Sequence, residues 1–310
     1  MPTALINGAE IYYEILGYRG PWVTTILGGR RPSTEAKTLA RAIASRGYRV
    51  INHDRRNCGR SSLDFDTRKS EEDLWVSDLR ALLDELNVAQ AFVVGQSRGA
   101  RIAIRFALRH PDKVLGLGLW GLSGGSLAAK FLDDYYYGKY LRACEKGGMN
   151  AVCALDHFAG LIEAKPANRD LLLAMDEHEF ITAMNRWRDQ FLIKIDQPVM
   201  GLNDEELRSI GVPTAIVPYY DRMHPHTSAA HAVTTIPGSR LFDFDPHRHD
   251  NPTMTADDES KDTATVAKVL CAFESALSPR REANAPHNLR HQLFSRDGFL
   301  SHLRSLPWLR

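Results

Sequence analysis

Cysteine is scarce: four residues in 310, at positions 58, 144, 153 and 271. None form a C-x2-C or C-x4-C pair, which excludes a zinc ribbon or finger. So sparse a set points to reduced thiols in a reducing compartment. An excess of one charge is also missing. Lys and Arg number 39 against 38 Asp and Glu, a formal +1, without the basic surplus of a nucleic-acid binder. Long apolar runs are absent too. The longest uncharged stretch, residues 114–129, holds 16 residues and five glycines, too short and too glycine-rich for a spanning helix. The first ten residues, MPTALINGAE, lack a basic start followed by an apolar run, so no signal peptide is expected and the protein reads as cytoplasmic. G-x-x-x-x-G-K-[ST] does not occur, and HEF at 178–180 is not H-E-x-x-H. No nucleotide cofactor and no metal is therefore expected.

What is there is an ordinary globular composition, 44% hydrophobic and 25% charged, with short β-like runs alternating with helical patterns in the first half. ALIN (4–7) and EIYYEIL (10–16) flank Gly8-Ala9 and read as a hairpin. VTTIL (23–27), YRVINHD (48–54), AFVV (91–94) and VLGLGLW (114–120) read as strands, continuous in apolar character rather than alternating. Helices are expected from Ser33 to Gly47, from Ser70 to about Leu86, and over 100–110. Such an array predicts a mostly parallel sheet covered on both faces. From 121 to 207 the alternation gives way to helical pattern. A strand returns at TAIVPYY (214–220), then a helix over 226–235, a strand RLFDF (240–244) and a last helix over about 259–276. The expected division is a core of 1–120 and 208–277, a helical insertion of 121–207, and a tail of 278–310. Residues 279–310 hold six Arg against Glu282 and Asp297, a local +4. Apolar residues at helical spacing in the tail suggest packing on the domain or on a second subunit, which is the expected route to a homo-oligomer.

Chemistry concentrates at Gly95-Gln96-Ser97-Arg98-Gly99, a G-x-S-x-G sequence that follows an apolar strand and opens a helix. Close strand–helix packing excludes side chains at the two glycines. A tight turn then presents the serine hydroxyl at the sheet's C-terminal edge, with a helix N-terminus behind it.

With these residues the chain resembles the α/β-hydrolase-fold superfamily over about residues 1–277. ILGG (26–29) resembles its oxyanion loop and DRRNCGRSS (54–62) its D-x-x-G-x-G-x-S turn. GQSRG resembles its nucleophile elbow, VPTAIVPYYDRMHP (212–225) its acid-bearing strand, and IPGSRLFDFDPHRH (236–249) its histidine loop. The insertion falls where that family carries its lid. The resemblance implies an α/β-hydrolase fold and, in chain order, Ser97 as nucleophile, Asp221 as the acid and His249 as the base, twelve residues after Pro237. It also implies an oxyanion hole made by the backbone N–H groups of Arg30 and Arg98. Two departures stand out: Arg248 where the family usually has Gly, and Gly28 where it commonly has His. His247, His224 and His226 remain open as alternative bases.

A serine hydroxyl needs a neighbouring imidazole to take its proton. The implied activity is hydrolysis of a carboxylic ester or lactone through an acyl-enzyme, with a small-molecule substrate. Carbon–carbon bond hydrolysis by the same residues is the first alternative. A cofactor-free lyase, oxygenase or ligand-binding protein with a degraded triad is the second. Epoxide hydrolases and haloalkane dehalogenases are disfavoured, because those relatives place Asp at the nucleophile position. Arginines crowd these loops at 30, 31, 55, 56, 98 and 101. They are expected either to form ion pairs or to hold an anionic substrate, with Arg98 next to a substrate carboxylate.

Overall fold

The structure is a computed structural model that describes residues 2–66 and 68–243. The chain opens with the expected hairpin, β1 (Thr3–Ile6) and β2 (Ala9–Leu16), then β3 (Trp22–Ile26), α1 (Lys37–Ser45), β4 (Arg49–His53), α2 (Glu71–Glu85), β5 (Ala91–Gln96), α3 (Arg98–Arg109) and β6 (Val114–Trp120). Five helices follow without a strand between them: α4 (Gly125–Asp133), α5 (Lys139–Cys153), α6 (Asp156–Ala164), α7 (Asn168–Leu173) and α8 (Glu177–Leu192). A π-helical turn, Asp134–Gly138, joins α4 to α5. The short α9 (Asp204–Arg208) leads to β7 (Thr214–Val217), α10 (His226–Thr235) and β8 (Arg240–Leu241).

The eight described strands form one sheet in the order β1-β2-β4-β3-β5-β6-β7-β8. The β1–β2 and β2–β4 pairs are antiparallel and the others parallel. The chain fills positions on one side of β3 and then moves to the other, which makes a topological switch point at the carboxyl ends of β3 and β5, where open α/β sheets bind ligands. The register sets Ile26 beside Gly95, Gln96 beside Trp120, and Trp120 beside Val217. The loops after β3, β5, β6 and β7 therefore leave one edge of the sheet side by side.

β5 and β6 are largely apolar because helices cover both faces. Val23, Val50, Ile51, Val93 and Val94 are wholly buried, and each such side chain is worth roughly 1.5–3 kcal/mol. The insertion has its own core, in which Phe158, Phe180 and Trp187 are buried with Tyr137. Phe65, from the loop after β4, stacks on Trp187 at 5.7 Å between centroids and ties that core to the sheet.

Several boundaries differ from expectation for local reasons. The stretch beginning at Ser33 is a 3-10 turn, Ser33–Ala36, before α1. The strand expected over 214–220 stops at Val217, ahead of Pro218, which has no N–H for the ladder. The expected strand over 240–244 pairs at Arg240 and Leu241. The expected last helix, the tail, His247, Arg248 and His249 lie outside the described residues.

The D-x-x-G-x-G-x-S segment is a latch between loops. Asp54 accepts from the amides of Ser33 at 2.5 Å and Arg60 at 2.9 Å. A Cβ at Gly59 would lie 2.3 Å from the Asp54 carboxylate, so only glycine fits there. The Ser61 hydroxyl donates to the Asp54 carbonyl at 2.6 Å and accepts from the Tyr12 amide at 2.9 Å.

Candidate active site

Ser97 sits between β5 and α3 with φ 51° and ψ −117°, outside the comfortable regions for an L-residue. Strain of this kind is worth of order 1–3 kcal/mol and persists only where the surroundings enforce it. Here the Ser97 amide donates to the Trp120 carbonyl at 3.0 Å. The helix behind it presses on the sheet: a Cβ at Gly99 would lie 2.1 Å from the Ile26 carbonyl oxygen. No side chain can be added there without pushing α3 off β3.

The Ser97 hydroxyl is 2.7 Å from Nε2 of His224. Nδ1 of that ring lies 3.0 and 2.9 Å from the two carboxylate oxygens of Asp221. The partners assign the protons: the hydroxyl donates to Nε2, and Nδ1–H donates to the carboxylate. Asp221 also accepts from the backbone amides of Met223 at 2.7 Å and His224 at 2.9 Å. Burial alone would raise its pKa, but the His224 ring and these two amides outweigh burial and hold the carboxyl below its ordinary range. Asp221 and His224 are each 1% exposed, and the Tyr219 ring meets the imidazole edge-on at 5.6 Å.

Ser97 and Asp221 are thus brought to one point, together with His224. His226 is turned elsewhere, its Nε2 3.0 Å from Asp243 and its ring stacked on Tyr220. Sequence reasoning did not single out Ser123, whose hydroxyl in the loop after β6 lies 3.4 Å from that of Ser97.

The loop after β3 comes hard against the serine. A Cβ at Gly28 would be 2.9 Å from the Ser97 Cβ and 3.4 Å from its hydroxyl. The Arg31 amide donates to the Gly28 carbonyl at 3.3 Å, closing a tight turn with Arg30 inside it. Arg98 is the first residue of α3, where an amide has no partner within the helix. Among the described residues neither the Arg30 nor the Arg98 amide meets a carbonyl acceptor.

The arginine side chains are largely absorbed by carboxylates. Arg98, expected beside a substrate carboxylate, is instead buried, with Nε 3.0 Å from Glu72 and Nη2 2.9 Å from Glu71. Arg101 lies on Glu72, its Nε at 3.0 Å. Arg56 grips Asp78 with Nε at 3.0 Å and Nη2 at 2.9 Å, and also pairs with Asp64. Arg31 pairs with Glu35. Burial would raise the carboxyls of Glu71 and Glu72, but the guanidinium charges override it and hold both down at about 2. Arg55 instead reaches the Gly28 carbonyl with Nη2 at 3.5 Å, its guanidinium lies 4.5 Å over the Trp75 ring, and its Nη1, like that of Arg98, is buried without a hydrogen-bond acceptor.

A cavity of about 670 Å³ opens between the loops after β3 and β4 and the helices α5 and α6, with Arg30, Tyr136, Lys139, Tyr140 and His157 in its wall. That volume suits a small molecule. Among the described residues no group of three His, Cys, Asp or Glu is placed to hold a metal ion, and no helix is long and apolar enough to cross a membrane.

Comparison with known proteins agrees with this architecture. The sequence model of the α/β hydrolase fold family matches residues 26–199. Epoxide hydrolase B of Mycobacterium tuberculosis is 31% identical over 151 residues, 46% of this chain and 40% of that protein. The 2-hydroxymuconate semialdehyde hydrolase of Pseudomonas sp. is 28% identical over 217 residues, 68% of this chain and 73% of that protein. The chain spans about two fifths of the length of the first curated relatives it matches. Among solved structures, the α/β hydrolase MGS-M2 from a Medee basin deep-sea metagenome library superposes with a TM-score of 0.61 at 19% identity, covering 88% of this chain and 97% of that one.

Proposed function

The chain belongs to the α/β hydrolase fold family, and from that premise we propose that it is a serine hydrolase of carboxylic esters or lactones with Ser97 as nucleophile, His224 as base and Asp221 as the acid that orients the base. The observation that carries this reading is the continuous chain of contacts, 2.7 Å from Ser97 to His224 and 2.9 Å from His224 to Asp221. The base differs from the histidine that family spacing suggested, since His224 shares a turn with the acid.

In the proposed cycle the Ser97 oxygen attacks the carbonyl carbon while His224 Nε2 takes its proton. The carbonyl π electrons move onto oxygen, and the amides of Arg30 and Arg98 receive that oxyanion. Collapse breaks the bond to the leaving alcohol, which takes the proton back from His224. Water then attacks the acyl-serine, giving its proton to His224; collapse breaks the bond from the carbonyl carbon to the Ser97 oxygen, which takes that proton back as the acid departs. Asp221 stays ionised at neutral pH, keeps the proton of His224 on Nδ1, and stabilises the imidazolium while it exists. The helical insertion acts as the lid, and the cavity it helps to line includes Arg30 but not Ser97, Asp221 or His224.

The test is covalent labelling by a fluorophosphonate together with hydrolysis of p-nitrophenyl acetate and butyrate. Wild type is expected to take one label and to turn over the esters, and Ser97→Ala to do neither. Hydrolysis persisting unchanged in Ser97→Ala overturns the proposal. A second reading, carbon–carbon bond hydrolysis by the same residues, is favoured by the likeness to 2-hydroxymuconate semialdehyde hydrolase. Turnover of a ring-cleavage dienoate at a rate exceeding that of the esters would select it.

A further inference from the structure

In this reading the two amides of the oxyanion hole belong to arginines, and both side chains end on one carboxylate. Glu71 Oε1 accepts from Arg30 Nε at 2.8 Å, and Oε2 accepts from Arg30 Nη2 at 3.0 Å, a bidentate fork. The same Oε2 accepts from Arg98 Nη2 at 2.9 Å and from the Tyr137 hydroxyl at 3.1 Å. The third nitrogen of Arg30 donates to the Tyr136 carbonyl at 2.7 Å, and Arg98 Nη2 also donates to the Tyr137 oxygen at 2.8 Å. Glu71 is 1% exposed and is the first residue of α2, behind the N-cap Ser70. A carboxylate is favoured there by the helix dipole.

We propose that Glu71 is a positioning residue for the oxyanion hole, holding Arg30 and Arg98 by their side chains so that their backbone N–H groups converge. The need for such a clamp follows from the loop. Arg30 is preceded by Gly28 and Gly29, the latter at φ +52°. Two residues without Cβ leave the peptide plane before Arg30 free to rotate about its neighbouring dihedrals. A two-pronged guanidinium–carboxylate pair is directional, and it restores the missing constraint from the side-chain end. On the other wall of the hole, Arg98 follows the strained Ser97, and its contact with the same carboxylate fixes the distance between the two walls. The π-helical turn adds the insertion to this arrangement through Tyr136 and Tyr137, so the hole takes its final shape only with the insertion seated.

The inference rests on the serine-hydrolase reading, and the experiment separates the two. Wild type, Ser97→Ala, Glu71→Gln and Tyr137→Phe are assayed on a p-nitrophenyl ester and its thionoester. Thiocarbonyl sulfur accepts hydrogen bonds poorly, so the thionoester draws little on the hole. Removing a hole donor outright lowers kcat by about 10²–10³, and a displaced donor is expected to lower it by about 10–10² in Glu71→Gln, with KM changing far less. The ratio of ester to thionoester rates is expected to fall with kcat. Tyr137→Phe strips one hydrogen bond from Glu71 without unpairing a charge, and is expected to move both readouts the same way by a smaller factor. It stands in should circular dichroism show Glu71→Gln unfolded. Unchanged kcat, or equal losses on ester and thionoester in the folded variants, overturns the role of Glu71 while leaving the hydrolase reading intact. Activity persisting in Ser97→Ala overturns the hydrolase reading, and the inference with it.

Discussion

Replacing His224 by alanine removes the proposed base and takes from Ser97 the imidazole that would accept its proton. Its Nε2 is the atom 2.7 Å from the hydroxyl, and Nδ1 is spent on Asp221. In serine hydrolases the triad acts as a unit, and removing the nucleophile or the base lowers kcat by about 10⁶. At about 1.36 kcal/mol per decade that is roughly 8 kcal/mol of transition-state stabilisation. The structure adds a second consequence. Without the imidazole, the buried Asp221 keeps two backbone donors and loses its third, which destabilises the fold by about 1–3 kcal/mol. The expected result is therefore a folded protein with a slightly lowered melting temperature and a kcat on butyrate ester down by about 10⁵–10⁶. The double variant Ser97→Ala/His224→Ala is expected to be no worse than either single one, because a broken unit cannot be broken twice. His226→Ala, His247→Ala and His249→Ala are expected within about threefold of wild type, since one imidazole suffices for the proton transfer. Steady-state kinetics, with fluorophosphonate labelling rates as a substrate-independent check, measures all of these. A loss in His249→Ala equal to that in His224→Ala, or a His224→Ala variant within tenfold of wild type, refutes the assignment.

Asp221→Asn is expected to lower kcat by about 10⁴ with little change in KM, because an amide leaves Nδ1 in the wrong tautomer; the same ester assay reads it. Gly99→Ala, whose Cβ would sit 2.1 Å from the Ile26 oxygen, is expected to lower stability to urea by about 1–3 kcal/mol, with a fall in kcat as Ser97 shifts with α3. Arg98→Met, which strands two buried carboxylates, is expected to lower stability by about 3–5 kcal/mol, whereas Arg55→Met, which removes a buried guanidinium with an unsatisfied nitrogen, is expected to leave stability unchanged or raise it. Stability is also expected to fall on acidification in two stages. His53 is buried, and desolvation and then the charge of Arg55 lower its pKa from 6.5 to about 3. The unfolded chain therefore binds this proton first, and stability declines by about 1.4 kcal/mol per pH unit between these values. Glu71 and Glu72 add to the loss as pH falls from about 4.5 towards 2. Urea titrations across pH 3–7 test this, and a flat profile in wild type would contradict the burial of a neutral His53.

Much of the architecture was legible because it rests on local signals. Ser70 as N-cap, Gly47 after the first helix and the apolar runs of β3 to β6 all announce their elements within a few residues. The turn at Ser97 was legible from Gly95 and Gly99 on either side of it, although the contact that forbids a side chain at Gly99 comes from Ile26 of β3. The partner of Ser97 was harder. Spacing after Pro237 pointed to His249, which lies outside the described residues; the signal for His224 is the D-R-M-H-P run, which sets an imidazole three residues after a carboxylate able to accept from its own turn's amides. The ion pairs of Glu71 and Glu72 were not legible at all. Glu71 and Glu72 look like acids beginning an exposed helix, and their partners Arg30 and Arg98 lie 41 and 26–27 residues away. Nothing short of the folded packing of α2 against α3 and against the loop after β3 brings them together.

The turn that carries Asp221 and His224 also makes this carboxylate–imidazole pair portable. Carboxylate and imidazole sit three residues apart, and the carboxylate is pinned by the amides of Met223 and His224. Their mutual geometry is thus written into one short peptide rather than into the meeting of two separate loops. A displacement of the segment after β7 would carry both groups together, changing the reach of the imidazole towards Ser97 while leaving its grip on the carboxylate intact. Such a peptide behaves as a cartridge that docks against the serine or withdraws from it as one piece, and it is a compact unit to transplant onto another sheet whose nucleophile stands in the same place.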